Sequence, residues 1–366
     1  MLNLEINKQF TSNGFISRWN CIILLFTLCY IGMSFQNSCM DIKIMSLNTW
    51  GMPKSFGSKF KPERMNAIAK EVSKGNYDVY LLQELWMEYD HNKIAASIPE
   101  NYSITGFRQL AGYFDGVSEC DGRVGPEGCS GLAIISRFPF NDVTFDKFSD
   151  HGDGAKAFID GEVFVRKGAG RVKIEPFPNV TIDIITTHTA ADPDPGHGYN
   201  NSYYRKKQIH ELMDIWLPKS TADMVIVGGD LNAKPEKEKS SVYQIVREKM
   251  KNSAEEIYYK KNRWLDAEFS TYGNQANTFT GGKYPPTTYD YIFWRSNNSK
   301  KIKATTSSFK LPLFKTTASK LRLLRPLLKT HKHESALNWP AFVKPGPVSI
   351  SVSDHEAITA SILVCS

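Results

Sequence analysis

The sequence predicts an α+β domain in which β-sheets pack against one another and helices cover the outside. Two observations carry that expectation. Short hydrophobic, β-branched runs of strand length are interleaved with at least two stretches of helical period, which suits stacked layers. Six polar fragments stand mostly at the ends of those runs: Leu47-Asn48-Thr49-Trp50-Gly51, Leu82-Gln83-Glu84, Thr187-His188-Thr189, Gly229-Asp230-Leu231-Asn232, Tyr289-Asp290-Tyr291 and Ser353-Asp354-His355-Glu356. Strand ends converge when strands lie side by side, and functional groups favour loops on a rigid scaffold. The fragments extend from Asn48 to His355 in a chain of 366 residues, so a cut near the middle would divide them. One domain over 39–366 is the economical reading, and it is large enough to bury a core.

The elements follow in chain order. Ile42–Leu47 reads as a strand, broken by Gly51-Met52-Pro53. Arg64–Lys74 places Met65, Ile68, Ala69 and Val72 at helical spacing. Val79–Leu82 is a fully apolar strand and Gly131–Ser136 another. Phe158–Val165 and Thr181–Thr187 read as a strand pair joined by a basic turn. Tyr204–Leu217 is a second helix, with Ile209, Leu212, Met213 and Trp216 on one face. Met224–Val227, Tyr291–Trp294 and Ile358–Val364 complete the strands, with no internal repeat or low-complexity tract.

The N-terminus and the cysteines speak about location. Cys21–Gly32 is a charge-free apolar run preceded by Lys8 and Arg18, and Gly32-Met33-Ser34 supplies small residues for cleavage. Residues 1–38 are therefore expected to be a secretory signal with a short lead, the alternative being an N-terminal membrane anchor. The run is shorter than the roughly 20 residues a span needs. Four further cysteines, Cys39, Cys120, Cys129 and Cys365, allow three pairings. The preferred set joins Cys120 to Cys129 across a turn-rich loop and Cys39 to Cys365 across the first and last strands. With sequons at Asn101, Asn179, Asn200 and Asn297, this favours an oxidising compartment and a secreted glycoprotein. A net charge of +7 favours anionic partners such as a lipid surface or nucleic acid.

The polar fragments carry residue types suited to phosphodiester hydrolysis. Such a reaction needs phosphoryl charge neutralised, a water deprotonated and a leaving oxygen protonated or metal-bound. Oxygen ligands with a few carboxylates suit Mg²⁺. Glu84, ending an apolar run, is costly there unless paired or metal-bound, and Asn48 is a second oxygen ligand. Asp230 and Asn232 follow two glycines that let the backbone approach a ligand, and their spacing points both side chains one way. His355 is the natural base, its ordinary pKa near 6.5 suiting proton uptake at neutral pH. Asp290 is the carboxylate expected to fix its tautomer. Asp354 would face metal or attacking water, and His188 would serve the leaving group.

In this order the fragments resemble the endonuclease/exonuclease/phosphatase superfamily over roughly 42–364. The resemblance implies a DNase I-like, four-layer α/β/β/α sandwich. Within that superfamily, Leu47–Pro53, Gln83-Glu84-Leu85-Trp86, Thr187–Asp192, Gly229–Pro235 and Ser353–Ala357 look most like the blocks of neutral sphingomyelinases. Carried over residue by residue, the likeness implies a Mg²⁺ site among Asn48, Glu84, Asp230, Asn232 and Asp354. It implies catalytic roles for His355, His188, Asp290, Asp230 and Asn232. It also implies substrate contacts by Asn232 and by a mid-chain Asp and Lys pair. The nearest pair, Asp153 and Lys156, is more closely spaced than the family's, and Lys156 is carried as the candidate. The activity implied is hydrolysis of sphingomyelin to ceramide and phosphocholine by in-line attack of a His-activated water.

A basic-hydrophobic insertion is expected at 309–347. From Phe309 to His333 it carries seven lysines and arginines, no acid, and leucines such as Leu311, Leu313, Leu323, Leu324, Leu327 and Leu328. That mixture reads as an interfacial lipid contact. The leading expectation is a partner surface of sphingomyelin-containing membrane, with no nucleic acid and no protein partner implied. The alternatives are a secreted DNase I-like nuclease and a catalytically silent fold that binds lipid or a partner.

Overall fold

The computed structural model describes residues 38–52, 58–110, 113–114, 117–118, 130–150, 162, 165–191, 201–236, 238, 241–258, 269–281, 283–319 and 347–366. In chain order, β1 (Cys39–Asn48) leads through α1 (Lys61–Val72) to β2 (Val79–Gln83) and α2 (Glu88–Ala95). Short strands β3 (Ser103–Ile104), β4 (Tyr113–Phe114) and β5 (Val117–Ser118) precede β6 (Ala133–Ser136) and β7 (Phe140–Lys147). β8 (Gly168–Phe177) and β9 (Val180–His188) are followed by α3 (Ser202–His210). This helix runs on through a π-helical turn, Glu211–Trp216, and a 3₁₀ turn, Leu217–Lys219. Then come β10 (Met224–Asp230), α4 (Val242–Lys249), β11 (Lys251–Asn252), α5 (Ser253–Tyr258) and β12 (Asp290–Ser296). β13 (Lys303–Lys310), β14 (Lys315–Ser319), β15 (Pro347–Ser351) and β16 (Ile358–Cys365) complete the chain.

Two six-stranded sheets form, one in the order β13-β16-β1-β2-β6-β3 and the other β11-β12-β10-β9-β8-β7. The side-chain period of two sorts each strand into an inner and an outer face. Ile42, Ile44, Val79, Leu81 and Ile134 share one buried cluster with Ile182, Ile184, Met224, Ile226 and Ile292 of the second sheet. On the other face of the first sheet, Met45, Leu47, Tyr80, Leu82 and Ile135 pack with Met65, Ile68 and Val72 of α1. Each such side chain, fully buried, contributes about 1.5–3 kcal/mol. On the second sheet, Tyr243 of α4 lies against Tyr291 and Phe293 of β12. The four-layer α/β/β/α sandwich expected of a DNase I-like chain is therefore present.

Strand register brings the polar fragments to one end of this sandwich. β1 and β2 run parallel with Asn48 opposite Gln83. β9 and β10 run parallel with Asp230 opposite His188, and β12 runs antiparallel with Asp290 opposite Asp230. Residues at the same register share a face, so His188, Asp230 and Asp290 point together. That face is the inner one: Gly228, two residues before Asp230, would place a Cβ 2.4 Å from the Leu81 side chain. Gly229, at φ 147°, would place one 2.0 Å from the Thr187 carbonyl. These glycines were expected to let the backbone approach a ligand; what approaches them is protein, Leu81 and Thr187, so that the two sheets and two strands close up.

Other expectations move as well. The antiparallel partner of β9 is β8, joined by the tight turn at Asn179; of Phe158–Val165, expected as its partner, only 162 and 165 lie within the described residues. Gly168 and Gly170 disguise β8 in the sequence; a Cβ on Gly168 would meet the Asp146 carbonyl at 2.3 Å. Cys39 and Cys365 stand opposite each other at the far end of β1 and β16 and form a disulfide. Cys120, Cys129, Asn200, residues 1–37 and residues 320–346 of the insertion lie outside the described residues. Of the insertion's first residues, Phe309 is buried, Leu311 packs on the core and Leu313 is 49% exposed. β14 and β15 pair as its antiparallel base. Among the described residues, no helix is long and apolar enough to cross a membrane.

Candidate functional site

His355 stands just before β16 and Asp290 opens β12, so their side chains meet across the cleft between the sheets. Nδ1 of His355 lies 2.8 Å from Asp290 Oδ2, which leaves Nε2 facing Asp230, 3.7 Å from its Oδ2. Burial alone would lower the imidazole's pKa, but the Asp290 and Asp230 carboxylates outweigh it and hold it well above 6.5. Asp230 is itself pushed up to about 7, first by burial and then by Asp290, with His355 opposing. Asp230 Oδ1 accepts the Asn232 backbone N–H at 2.7 Å, and the Asn232 side-chain amide donates to the Thr189 carbonyl at 3.1 Å.

Asn48 joins the two sheets at the site. Its Nδ2 donates to Glu84 Oε1 at 2.9 Å and to Asp230 Oδ2 at 3.0 Å, while Oδ1 accepts the Trp50 N–H. Glu84 is raised by burial and by the charge of Asp354; Asp354 is raised by burial, with His355 and Arg64 opposing. Three residues beyond strand ends, Trp50, Glu84 and Asn232, have left-handed backbones with φ of 47°, 56° and 46°. Non-glycine residues rarely adopt this region, and such strain collects at functional sites. Here each turn bends the chain sharply away from its strand within one or two residues.

His188 lies 3.7 Å from the same Asp230 oxygen through Nε2. Its partner was not foreseen. Lys167, buried just before β8, donates to Glu162 Oε1 and the Thr189 carbonyl, each at 2.8 Å, and its Nζ is 3.3 Å from His188 Nε2. Burial, then the positive charges of Lys167 and His355, keep His188 well below 6.5 and so neutral. Glu162 also accepts the Ala191 N–H at 3.0 Å. Lys156, the expected substrate contact, and Asp153 lie outside the described residues; Glu162 and Lys167 are a buried acid and lysine pair beside His188. The sequence signal that could have found it is an acid and a lysine five apart, immediately before a glycine-bearing strand. Trp86 completes the wall, its ring 6.2 Å from His188.

The donor set fits a hard divalent cation. Glu84 and Asp230 both accept from the Asn48 amide, the charge of Asp354 acts on Glu84, and burial penalises the charge of all three carboxylates, which a cation would offset. Asp230, Asp290 and His355 also place ligand-type atoms within 4.8 Å of one another. Among the described residues this trio is the group of carboxylates and histidine that could hold a metal ion, although the His355–Asp290 hydrogen bond already uses Nδ1 and one carboxylate oxygen.

Residues 45–355 match the Endonuclease/Exonuclease/phosphatase family. Over 201 residues the chain is 26% identical to an inositol phosphosphingolipids phospholipase C of Schizosaccharomyces pombe, covering 53% of this chain and 42% of that protein. It is 25% identical over 210 residues to sphingomyelin phosphodiesterase 2 of Homo sapiens, covering 55% and 43%. The matched part is therefore less than half the length of these relatives. Among solved structures, a Staphylococcus aureus beta toxin variant with bound magnesium ions superposes with a TM-score of 0.54 at 18% identity, covering 88% of this chain and 99% of that one. Matching order, strand-end positions and fold lead to one conclusion: the chain belongs to the Endonuclease/Exonuclease/phosphatase family.

Proposed function

We propose that the protein is a secreted, Mg²⁺-dependent sphingomyelin phosphodiesterase releasing phosphocholine and ceramide. The observation that carries the reading is the His355–Asp290 hydrogen bond of 2.8 Å aimed at Asp230 beside an oxygen-rich donor set, in a chain similar to sphingomyelin phosphodiesterase 2. Asn48, Glu84 and Asp354 with Asp230 would hold Mg²⁺, which when bound neutralises phosphoryl charge. Asp290 accepts the Nδ1 proton of His355, so Nε2 is the atom that takes a proton from water. The amide of Asn232 orients the phosphoryl group, and Lys167, whose ammonium is engaged with Glu162, the Thr189 carbonyl and His188, supplies positive charge behind it. Neutral His188 offers a hydrogen bond to the leaving side instead of carrying a full charge. A silent binding fold gains nothing from this arrangement.

Secretion is supported by the Cys39–Cys365 disulfide and by the exposed sequon residues Asn101, Asn179 and Asn297. Phospholipid access is supported by exposed Leu313 between Lys310 and Lys315 at the base of the basic insertion. The deciding assay runs sphingomyelin vesicles, inositol phosphosphingolipid vesicles and plasmid DNA side by side, with Mg²⁺ and with chelator. Phosphocholine release that stops in chelator is expected. Cleavage of DNA alone would move the protein to the nuclease reading, and preference for the inositol lipid would change the head group.

A further inference from the structure

Arg64 opens no polar fragment and has no assigned role, yet it is fully buried and its guanidinium reaches both halves of the site. Nη1 donates to the Thr49 carbonyl at 2.8 Å and to the Val352 carbonyl at 3.1 Å. Nη2 donates to the Trp50 carbonyl at 2.8 Å and to Ser58 Oγ at 2.7 Å, and Nε to the Lys59 carbonyl at 2.7 Å. All five N–H donors of the fork are thereby placed. The plane lies 4.7 Å from the Trp50 ring centre and 6.0 Å from that of Phe279. Thr49 and Trp50 directly follow Asn48, and Val352 leads into Asp354 and His355. Ser353 stitches the same two segments independently: its Oγ donates to the Asn48 carbonyl at 2.6 Å and accepts the His355 N–H at 3.3 Å.

We propose that Arg64 is a positioning residue that locks the Asn48–Trp50 segment and the Val352–His355 segment into one body, keeping the cation-binding oxygens in register with the proton acceptor. Carbonyls at the exits of two strands cannot satisfy one another, and a planar fork with five donors bridges them where a lysine's three point donors cannot. Left-handed Trp50 is held by the same group through its carbonyl and its ring. The catalytic consequence rests on the hydrolase reading above; the mechanical coupling does not.

Arg64→Lys tests both parts, because it keeps the charge and removes the fork. Amide hydrogen exchange, measured without metal, is expected to speed up at Trp50, Gly51, His355 and Glu356 together, by about tenfold or more. The Thr189–Ala191 segment should keep its rates. Turnover should fall by about tenfold or more with KM within about twofold, since misplaced groups cost rate before binding. Faster exchange confined to 58–60, or in only one of the two segments, would overturn the coupling. Should Arg64→Lys fail to fold, Ser58→Ala removes one acceptor of the fork; it should speed exchange in both segments by about threefold, and unchanged rates in either overturn the proposal. Absent wild-type activity would instead count against the hydrolase reading while the exchange result stood.

Discussion

The two histidines of the cleft share a neighbour and little else. Each Nε2 is 3.7 Å from the same Asp230 oxygen. Behind His355 lies a carboxylate at 2.8 Å; behind His188 Nδ1 no hydrogen-bond partner stands among the described residues. In front of His188 lies an ammonium at 3.3 Å. One ring is pushed well above its ordinary pKa and the other well below. Pairs whose surroundings drive their pKa values apart mark a division of acid–base labour. The surroundings favour a proton on His355 and keep His188 neutral in a positively charged corner. The same residue type is made into two tools by one aspartate and one lysine.

The largest effects should come from deleting the tools themselves. His355→Gln is expected to lower turnover by about 10³, and His188→Gln by about 10², within the range for lost acid–base help. The pH profile separates them. A raised pKa on the acceptor means that activity is lost as pH falls through that value, so the acid limb should lie above 6.5. The limb should persist in His188→Gln and vanish in the residual activity of His355→Gln. A limb that disappears with His188 instead would reverse the assignment.

How much of this could be read from the chain depends on what kind of residue is asked about. Asn48, His188, Asp230 and Asp290 were legible because each is polar at the end of an apolar run, and register alone carries strand ends to one place. Glu84 and Asn232 were legible by position, though their left-handed backbones were not. Lys167 and Arg64 were hidden because long basic side chains are common, and only packing shows which of them is buried. The strand β8 was hidden because Gly168 and Gly170 erase its apolar alternation, and the close packing at Gly228 was hidden because Leu81, the group it makes room for, comes from the other sheet. α4 escaped because its apolar face, Val242, Tyr243 and Val246, is only two turns long. The π-helical turn at Glu211–Trp216 left no mark in the periodicity.

Effects of about tenfold should sharpen the contrast at its charged edges. Lys167→Met leaves the burial that chiefly depresses His188 and removes the cation that adds to it, so the His188 pKa, followed by nuclear magnetic resonance, should rise yet stay below 6.5 while that of His355 moves little. Turnover should fall about tenfold if, as proposed, that positive charge supports the phosphoryl group. On the opposite side, Glu84→Gln should raise the half-saturating Mg²⁺ concentration about tenfold, because one charge leaves an oxygen-ligand site. Activity that persists in excess chelator would remove the cation from the account altogether.

The smallest effect, a few degrees in melting temperature, tests the comparison without any substrate. His355 has a raised folded pKa, so the stability it contributes is fully present below 6.5 and is lost as pH rises through the folded value. His188 has a lowered one, so the folded state resists protonation and stability is lost as pH falls below 6.5 towards that value. Glutamine at each position removes the corresponding dependence. In metal-free protein, His355→Gln should therefore melt furthest below wild type near pH 6, the gap closing as pH rises through the folded value. His188→Gln should gain on wild type as pH falls from 7 to 5. At roughly 2–4 °C for each kcal/mol, both trends are measurable by calorimetry, and their slopes against pH should carry the same sign only if the two rings sit in like surroundings. Parallel curves for the two variants would mean that Lys167 and Asp290 do not set the histidines apart. The division of labour would then have to come from bound substrate.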